Sequence, residues 1–150
     1  MSVDPATDST LQAWLEAFLA QCSGVAGSVH CLQGDQLALA AHVRLPPPVV
    51  EKTRYIPKGK GMAGLAWERD RVVSTCNLKT DTSGDVRPGA KAVDAGAALA
   101  IPVRDERGGL RAVVGIAFAG AREMTEVEQA ELEHAAQALP TVARGLTSPT

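Results

Sequence analysis

The sequence predicts an α+β domain in which an antiparallel β-sheet is flanked by helices. Three observations carry that expectation. Apolar residues recur at helical spacing near both ends of the chain. Between those ends, two pairs of apolar, strand-like runs are each joined across a short glycine-bearing turn. The order reads helix, two strands, two short helices, strand, long loop, two strands, helix. It lacks the strand–helix alternation that builds a parallel sheet.

Residues 1–8 are polar and read as a disordered tail. Ser9 is a good N-cap, with Gln12 three residues later in capping-box register. Leu11, Trp14, Leu15, Phe18, Leu19 and Cys22 then form one broad apolar stripe, and Gly24 and Gly27 end the helix. Two strands follow over 25–32 and 36–43, joined at Gln33-Gly34-Asp35. Both faces of the second are apolar, which predicts a sheet covered on both sides.

Pro46-Pro47-Pro48 stops that strand and stiffens the connection, ahead of a short helix over 49–54. A second short helix is expected over 61–69 and a short strand over 72–76. The stretch 77–96 has no clear periodicity, and a loop of that length inside one domain is usually functional. Strands over 97–104 and 110–119 make a hairpin across Asp105-Glu106-Arg107-Gly108-Gly109. Thr125 and Glu128 form a capping box for the last helix. Its seam is Leu132, Ala135, Ala136, Leu139, Val142, Ala143 and Leu146, and Pro140 should kink or break it near Ala136. Residues 9–147 thus read as a single domain, with 148–150 frayed.

Composition narrows the function classes. A chain of 150 residues with a hydrophobic share of 45% can bury one core. A formal net charge of -2 offers no field for nucleic acid or an anionic membrane. Aromatics at 3% argue against a base-stacking platform. No apolar run approaches a bilayer span, and the N-terminus lacks the basic and apolar regions of a signal peptide. A cytoplasmic location is the expectation. Cys22, Cys31 and Cys76 are odd in number and sit in apolar patterns, as buried thiols do.

The most informative stretch runs from Ile56 to Gly120. It opens Ile56-Pro57-Lys58-Gly59-Lys60-Gly61-Met62-Ala63-Gly64, a Gly-x-Gly-x-x-Gly that starts a helix. A dinucleotide-binding reading fails, because no βαβ pattern surrounds it. The strand Val72-Val73-Ser74, the polar Asn77-Leu78-Lys79-Thr80-Asp81, and a hairpin marked Ile101-Pro102-Val103 follow. This order resembles the GAF domain family over roughly Leu11 to Leu146. The resemblance implies a GAF/PAS-like fold and a small-molecule sensor or protein-interaction module. It places a ligand between the Gly61 helix start and the 77–96 loop. Lys60, Gly61, Met62, Asn77, Asp81, Arg87, Leu99 and Ile101 are the candidate ligand residues. Leu99, Ile101, Val114 and Ile116 would form the floor.

Chemically, a helix start flanked by lysines can hold an anion, and a carboxylate or arginine in the loop can orient a polar ligand. Tight turns, close helix packing and surface polarity explain the same residues without a ligand. The resemblance also sets limits. The Asn-Lys-Phe-Asp-Glu pattern of cyclic-nucleotide-binding GAF domains is absent. The Cys-His pair of bilin carriers appears only reversed, as His30-Cys31. His42 and His134 are the conceivable haem ligands, but His30, His42 and His134 read as packing or surface residues. One GAF branch comprises the free methionine-(R)-sulfoxide reductases, which need a cysteine near Ala63 and another in the following loop. Neither is present, so no enzymatic activity, metal or cofactor is expected.

The remaining expectation is a module that binds a small polar metabolite, or a protein partner in a signalling pathway, and reports to another chain by contact. A ligand-free dimeric scaffold is the alternative. Trp14, Phe18, Leu132 and Leu139 on the terminal helices are the candidate homodimer residues.

Overall fold

The computed structural model describes residues 8–75, 96–120 and 124–140. Along the chain run α1 (Ser9–Cys22), β1 (Ala26–Gln33), β2 (Gln36–Val43), α2 (Pro47–Thr53) and β3 (Tyr55–Pro57). Then come α3 (Gly61–Arg69), β4 (Val73–Thr75), β5 (Ala97–Arg104), β6 (Leu110–Phe118) and α4 (Glu126–Ala136). The strands form one antiparallel sheet in the order β3-β2-β1-β6-β5-β4. The α+β class expected from the sequence is the class observed.

Asp8, not Ser9, caps α1. Its carboxylate accepts from the backbone N–H groups of Thr10 and Leu11. Gln12 is thereby released from the capping role expected of it. Its amide instead clasps both backbone groups of His42, donating to the carbonyl and accepting from the N–H, which pins α1 to β2. A second pin runs from the Asp8 N–H to the Ala40 carbonyl. Ala40 sits at a bulge where the β1–β2 register shifts between Val29 and His30.

Strand β3 escaped the sequence reading. Three residues are too few to show a period of two, and Pro57 argues against a ladder position. β3 lies at the sheet edge, where a missing N–H is tolerated. The Gly-x-Gly-x-x-Gly serves backbone geometry. Gly59 and Gly61 take positive φ of 84° and 68°, and buried Gly64 lets α3 close on β3. α4 carries the expected capping box and stops at Ala136, four residues ahead of Pro140. Beyond it, Gln137 bonds the Arg104 N–H and the Pro102 carbonyl. Arg111 donates to the carbonyls of Leu139 and Pro140. Val142, Ala143 and Leu146 of the expected seam lie outside the described residues.

The two sheet faces are filled differently. Under α1 and α4 lie Val29, Leu99, Ile101, Val103, Val114, Ile116 and Phe118, packed on Leu11, Leu15, Phe18, Leu19 and Leu139. Opposite, α3 covers a smaller cluster of Leu37, Ile56, Ala66, Val73, Ala100 and Val113. The apolar stripes of the terminal helices are therefore used within the chain. Phe18 and Leu139, expected at a dimer interface, are buried in this protein's own core because one sheet face needs both helices to cover it. Trp14 stacks on Phe18 with ring centroids 4.8 Å apart, and Trp14 and Leu132 stay half-buried.

A Cβ on Gly64 would stand 2.6 Å from the Pro57 carbonyl oxygen, and neither backbone can retreat cheaply. Alanine improves helix propensity by about 1 kcal/mol, and the overpacking costs roughly 1–3 kcal/mol. Gly64→Ala should therefore lower the urea midpoint despite the better helix former. A raised midpoint would mean that α3 does not pack this closely.

Candidate functional site

The face opposite α1 carries unusually small residues at its centre. Strand alternation puts Ala26, Ser28 and His30 of β1 on that face, paired with Ala117, Gly115 and Val113 of β6. Ala98 and Ala100 of β5 continue the row beside Ala117 and Gly115. At Gly115 a Cβ would stand 2.8 Å from the Ser28 hydroxyl, so the missing side chain makes room for it. Small side chains cannot reach the covering helices, and a cavity of 410 Å³ results. That volume falls within the range of about 300–1,000 Å³ usual for ligand sites.

The walls come from two directions. Leu45, Val49, Lys52 and Thr53 approach from α2 and its lead-in, and Ile56 from β3. Lys60, Gly61, Met62 and Ala63 form the opposite wall at the start of α3. Lys60 is the N-cap and makes no capping side-chain bond, so the first-turn N–H groups lack that partner. No Asp or Glu is found among the described lining residues.

His30 is the group to which chemistry attaches most readily. It is 3% exposed, the one buried polar or charged side chain among the described residues, and it borders the cavity. Nε2 lies 2.7 Å from the Thr53 carbonyl, which ties the end of α2 to the middle of the sheet. A carbonyl can only accept, so Nε2 carries the proton. Nδ1 is buried and has no hydrogen-bond partner among the described residues. Burial, opposed by the Thr53 bond and reinforced by His42, pulls the imidazole pKa down to about 4. At neutral pH the ring is uncharged, with Nδ1 an unsatisfied acceptor.

Of the residues expected to hold a ligand, Lys60, Gly61, Met62 and Leu99 meet at this cavity. Leu99 points its side chain into the α1–α4 core, so it contributes main chain. Ile101 does not line the cavity. With Leu99, Val114 and Ile116 it turns its side chain to α1 and α4; Ile116, like Leu99, still borders the cavity, so of the expected floor Ile101 and Val114 are the residues that do not. The correction has a simple cause: the large residues of a two-faced strand fill the tightly covered side, and the small ones leave the space. Asn77, Asp81 and Arg87 lie outside the described residues, as does Cys76. Ser28, His30, Lys52 and Thr53 were missed as site residues. The available signal was Ser28 and His30, two polar residues at a spacing of two in an otherwise apolar strand. Among the described residues no cluster of His, Cys, Asp or Glu could hold a metal ion. No described helix is long and apolar enough to cross a membrane.

This arrangement of sheet and helices is one that solved structures share. The GAF domain of a phosphoenolpyruvate-protein phosphotransferase from Coxiella burnetii superposes with a TM-score of 0.71 at 21% identity, over 93% of this chain and 84% of that one. The chain has the GAF fold. The corresponding domain from Acinetobacter gives a TM-score of 0.70 at 17% identity, over 99% of this chain and 88% of that one. A type II free methionine-R-sulfoxide reductase from Thermoplasma acidophilum gives 0.68 at 18% identity, over 84% of each chain. No protein-family model matches the sequence, and no curated protein does. The GAF fold thus accommodates both domains of larger proteins and an enzyme, and fold alone does not choose between them.

His30 also gives the GAF fold here a particular acid response. Its folded pKa lies below the usual 6.5, so the unfolded chain takes up a proton that the folded chain refuses. Its share of stability is intact above pH 6.5, is lost as pH falls from there toward 4, and changes no further below. The full loss is about 3 kcal/mol, and roughly 2 kcal/mol of it is gone by pH 5. His30→Gln keeps a donor for Thr53 and cannot titrate. Chemical denaturation at pH 7 and pH 5 should show a pH loss in the wild type larger by about that amount than in the variant. Equal losses would mean that His30 is not a buried neutral ring.

Proposed function

We propose that this protein is a non-catalytic binding module that takes a small organic ligand in the 410 Å³ cavity and reports its presence to another chain. The observation that supports this reading is the cavity itself, of ligand size and lined chiefly by apolar residues, with Ser28, His30, Lys52, Thr53 and Lys60 as its polar members. The lining is chiefly apolar, which favours a ligand with an apolar body over the small polar metabolite expected from the sequence.

The non-catalytic part rests on where the thiols are. Cys22 and Cys31 both pack against the α1–α4 core, on the opposite side of the sheet from the cavity. Ala63 occupies the α3 start, where a reductase-type thiol would profit from the helix N-terminus. Incubation with free methionine sulfoxide and a thiol reductant should give no turnover above that of reductant alone. Turnover lost in Cys76→Ser would overturn this part of the reading.

Contact with a partner, including a second copy, would use the half-buried Trp14 and Leu132, since Phe18 and Leu139 are already covered. Native mass spectrometry of protein purified from its own host tests both halves of the proposal. The wild type should carry a small molecule that Ala98→Phe, which fills the cavity floor, loses while keeping the fold. The same spectrum should show an assembly larger than one chain. A bare chain of one copy, with no adduct, would favour neither binding nor self-association.

A further inference from the structure

We infer that the cavity takes a flat bicyclic aromatic molecule lying on the sheet, and that the Ser28 hydroxyl binds the polar group at its edge. This rests on the reading of the cavity as a ligand site. Three features of the cavity carry the inference.

The first is the shape of the floor. The ladders set Ala26, Ala117 and Ala98 in one row across β1, β6 and β5, and Ser28, Gly115 and Ala100 in the next. Neighbouring strands stand about 4.8 Å apart and alternate residues of one strand about 7 Å, so these six positions span roughly 10 by 7 Å. No side chain in the two rows is larger than serine. The third row is His30, Val113 and Pro102, all buried, and it closes the plateau at that end. Two fused six-membered rings cover such a plateau, and a flat face meets level methyl groups without leaving gaps.

The second is Met62. It borders the cavity from the start of α3 and is half-buried. A thioether adapts its shape to what it covers and makes favourable contacts with aromatic rings.

The third is the inventory of polar groups. The Thr53 hydroxyl is spent on the Val49 carbonyl at 2.7 Å. His30 Nε2 is engaged with the Thr53 carbonyl, and Nδ1 is buried. Lys52 and Lys60 are exposed and keep their water. Ser28 differs from all of these. It is half-buried in the middle of the floor, and its hydroxyl, open to the cavity, has no hydrogen-bond partner among the described residues. Gly115 beside it has no side chain to cover it. A hydroxyl both donates and accepts, so it serves a phenol, a ring N–H or a ring nitrogen. A plain hydrocarbon leaves it unpaired.

Titrations followed through the alanine methyl resonances test this with 2-naphthol, naphthalene and the saturated decahydro-2-naphthol. Ser28→Ala should weaken 2-naphthol about fivefold and leave naphthalene unchanged. Its urea midpoint should match that of the wild type, because the hydroxyl has no partner to lose; a serine with a purely structural role would lower it. Protons beneath an aromatic face move upfield, and those at a ring edge move downfield. The methyl protons of Ala98, Ala100 and Ala117 should therefore move upfield with 2-naphthol, and the saturated alcohol should bind about fivefold more weakly. An equal loss of both aromatic ligands in Ser28→Ala, a lowered midpoint, downfield or absent methyl shifts, or no binding would overturn the inference. If these fail while protein from its own host carries an adduct that Ala98→Phe loses, the cavity is a ligand site of another selectivity. If there is no such adduct either, the binding reading falls with it.

Discussion

A strand residue has only two directions for its side chain, and this protein spends its bulk on one of them. On β1, β5 and β6 the α1 face carries Val29, Leu99, Ile101, Val114, Ile116 and Phe118. The reverse face of the same strands carries Ala26, Ser28, Ala98, Ala100, Gly115 and Ala117. Both sets occupy the same backbone and are locked in register by the same ladders. The first makes a dense core under α1 and α4. The second cannot fill the distance to α2 and α3, so a cavity is inherent in the sheet. The location of the site and the sidedness of the helices follow from this inequality of size.

The cavity stays open because its walls are held at their feet. α2 is fixed by the bond between His30 Nε2 and the Thr53 carbonyl and by its short link to β3. α3 is held by Gly64 against the Pro57 carbonyl and by the positive-φ turn at Gly59 and Gly61. Neither helix needs to collapse onto the floor to be stable. His30 therefore has a structural duty through Nε2, and the acid sensitivity of the fold arises from the same neutral ring.

Much of this was legible in the sequence, and the failures have physical causes. Long amphipathic stripes and capping signals located α1 and α4 well, because burial against a sheet demands an unbroken periodic face. The glycine turn of α3 was readable as backbone geometry, since a positive φ has few other solutions. The cap of α1 was misread because Asp8 and Ser9 are both competent, and only the fold shows that Gln12 is engaged with His42. β3 was missed because its three residues have no period. The floor was assigned to the wrong face because alternation says that two faces exist and not which one a helix will cover tightly. His30 was read as packing, and it does pack. What the sequence cannot display is that one nitrogen finds a carbonyl and the other finds no partner among the described residues.

The central claim is that open volume lies on the small-residue face and not within the α1–α4 core. Xenon enters apolar cavities and shifts the resonances of methyl groups that it touches. Methyl-labelled protein under xenon pressure should show shifts at Ala98, Ala100 and Ala117, with Ile101, Val114 and Leu15 unmoved. Shifts spread over both faces, or confined to the α1–α4 side, would contradict the account.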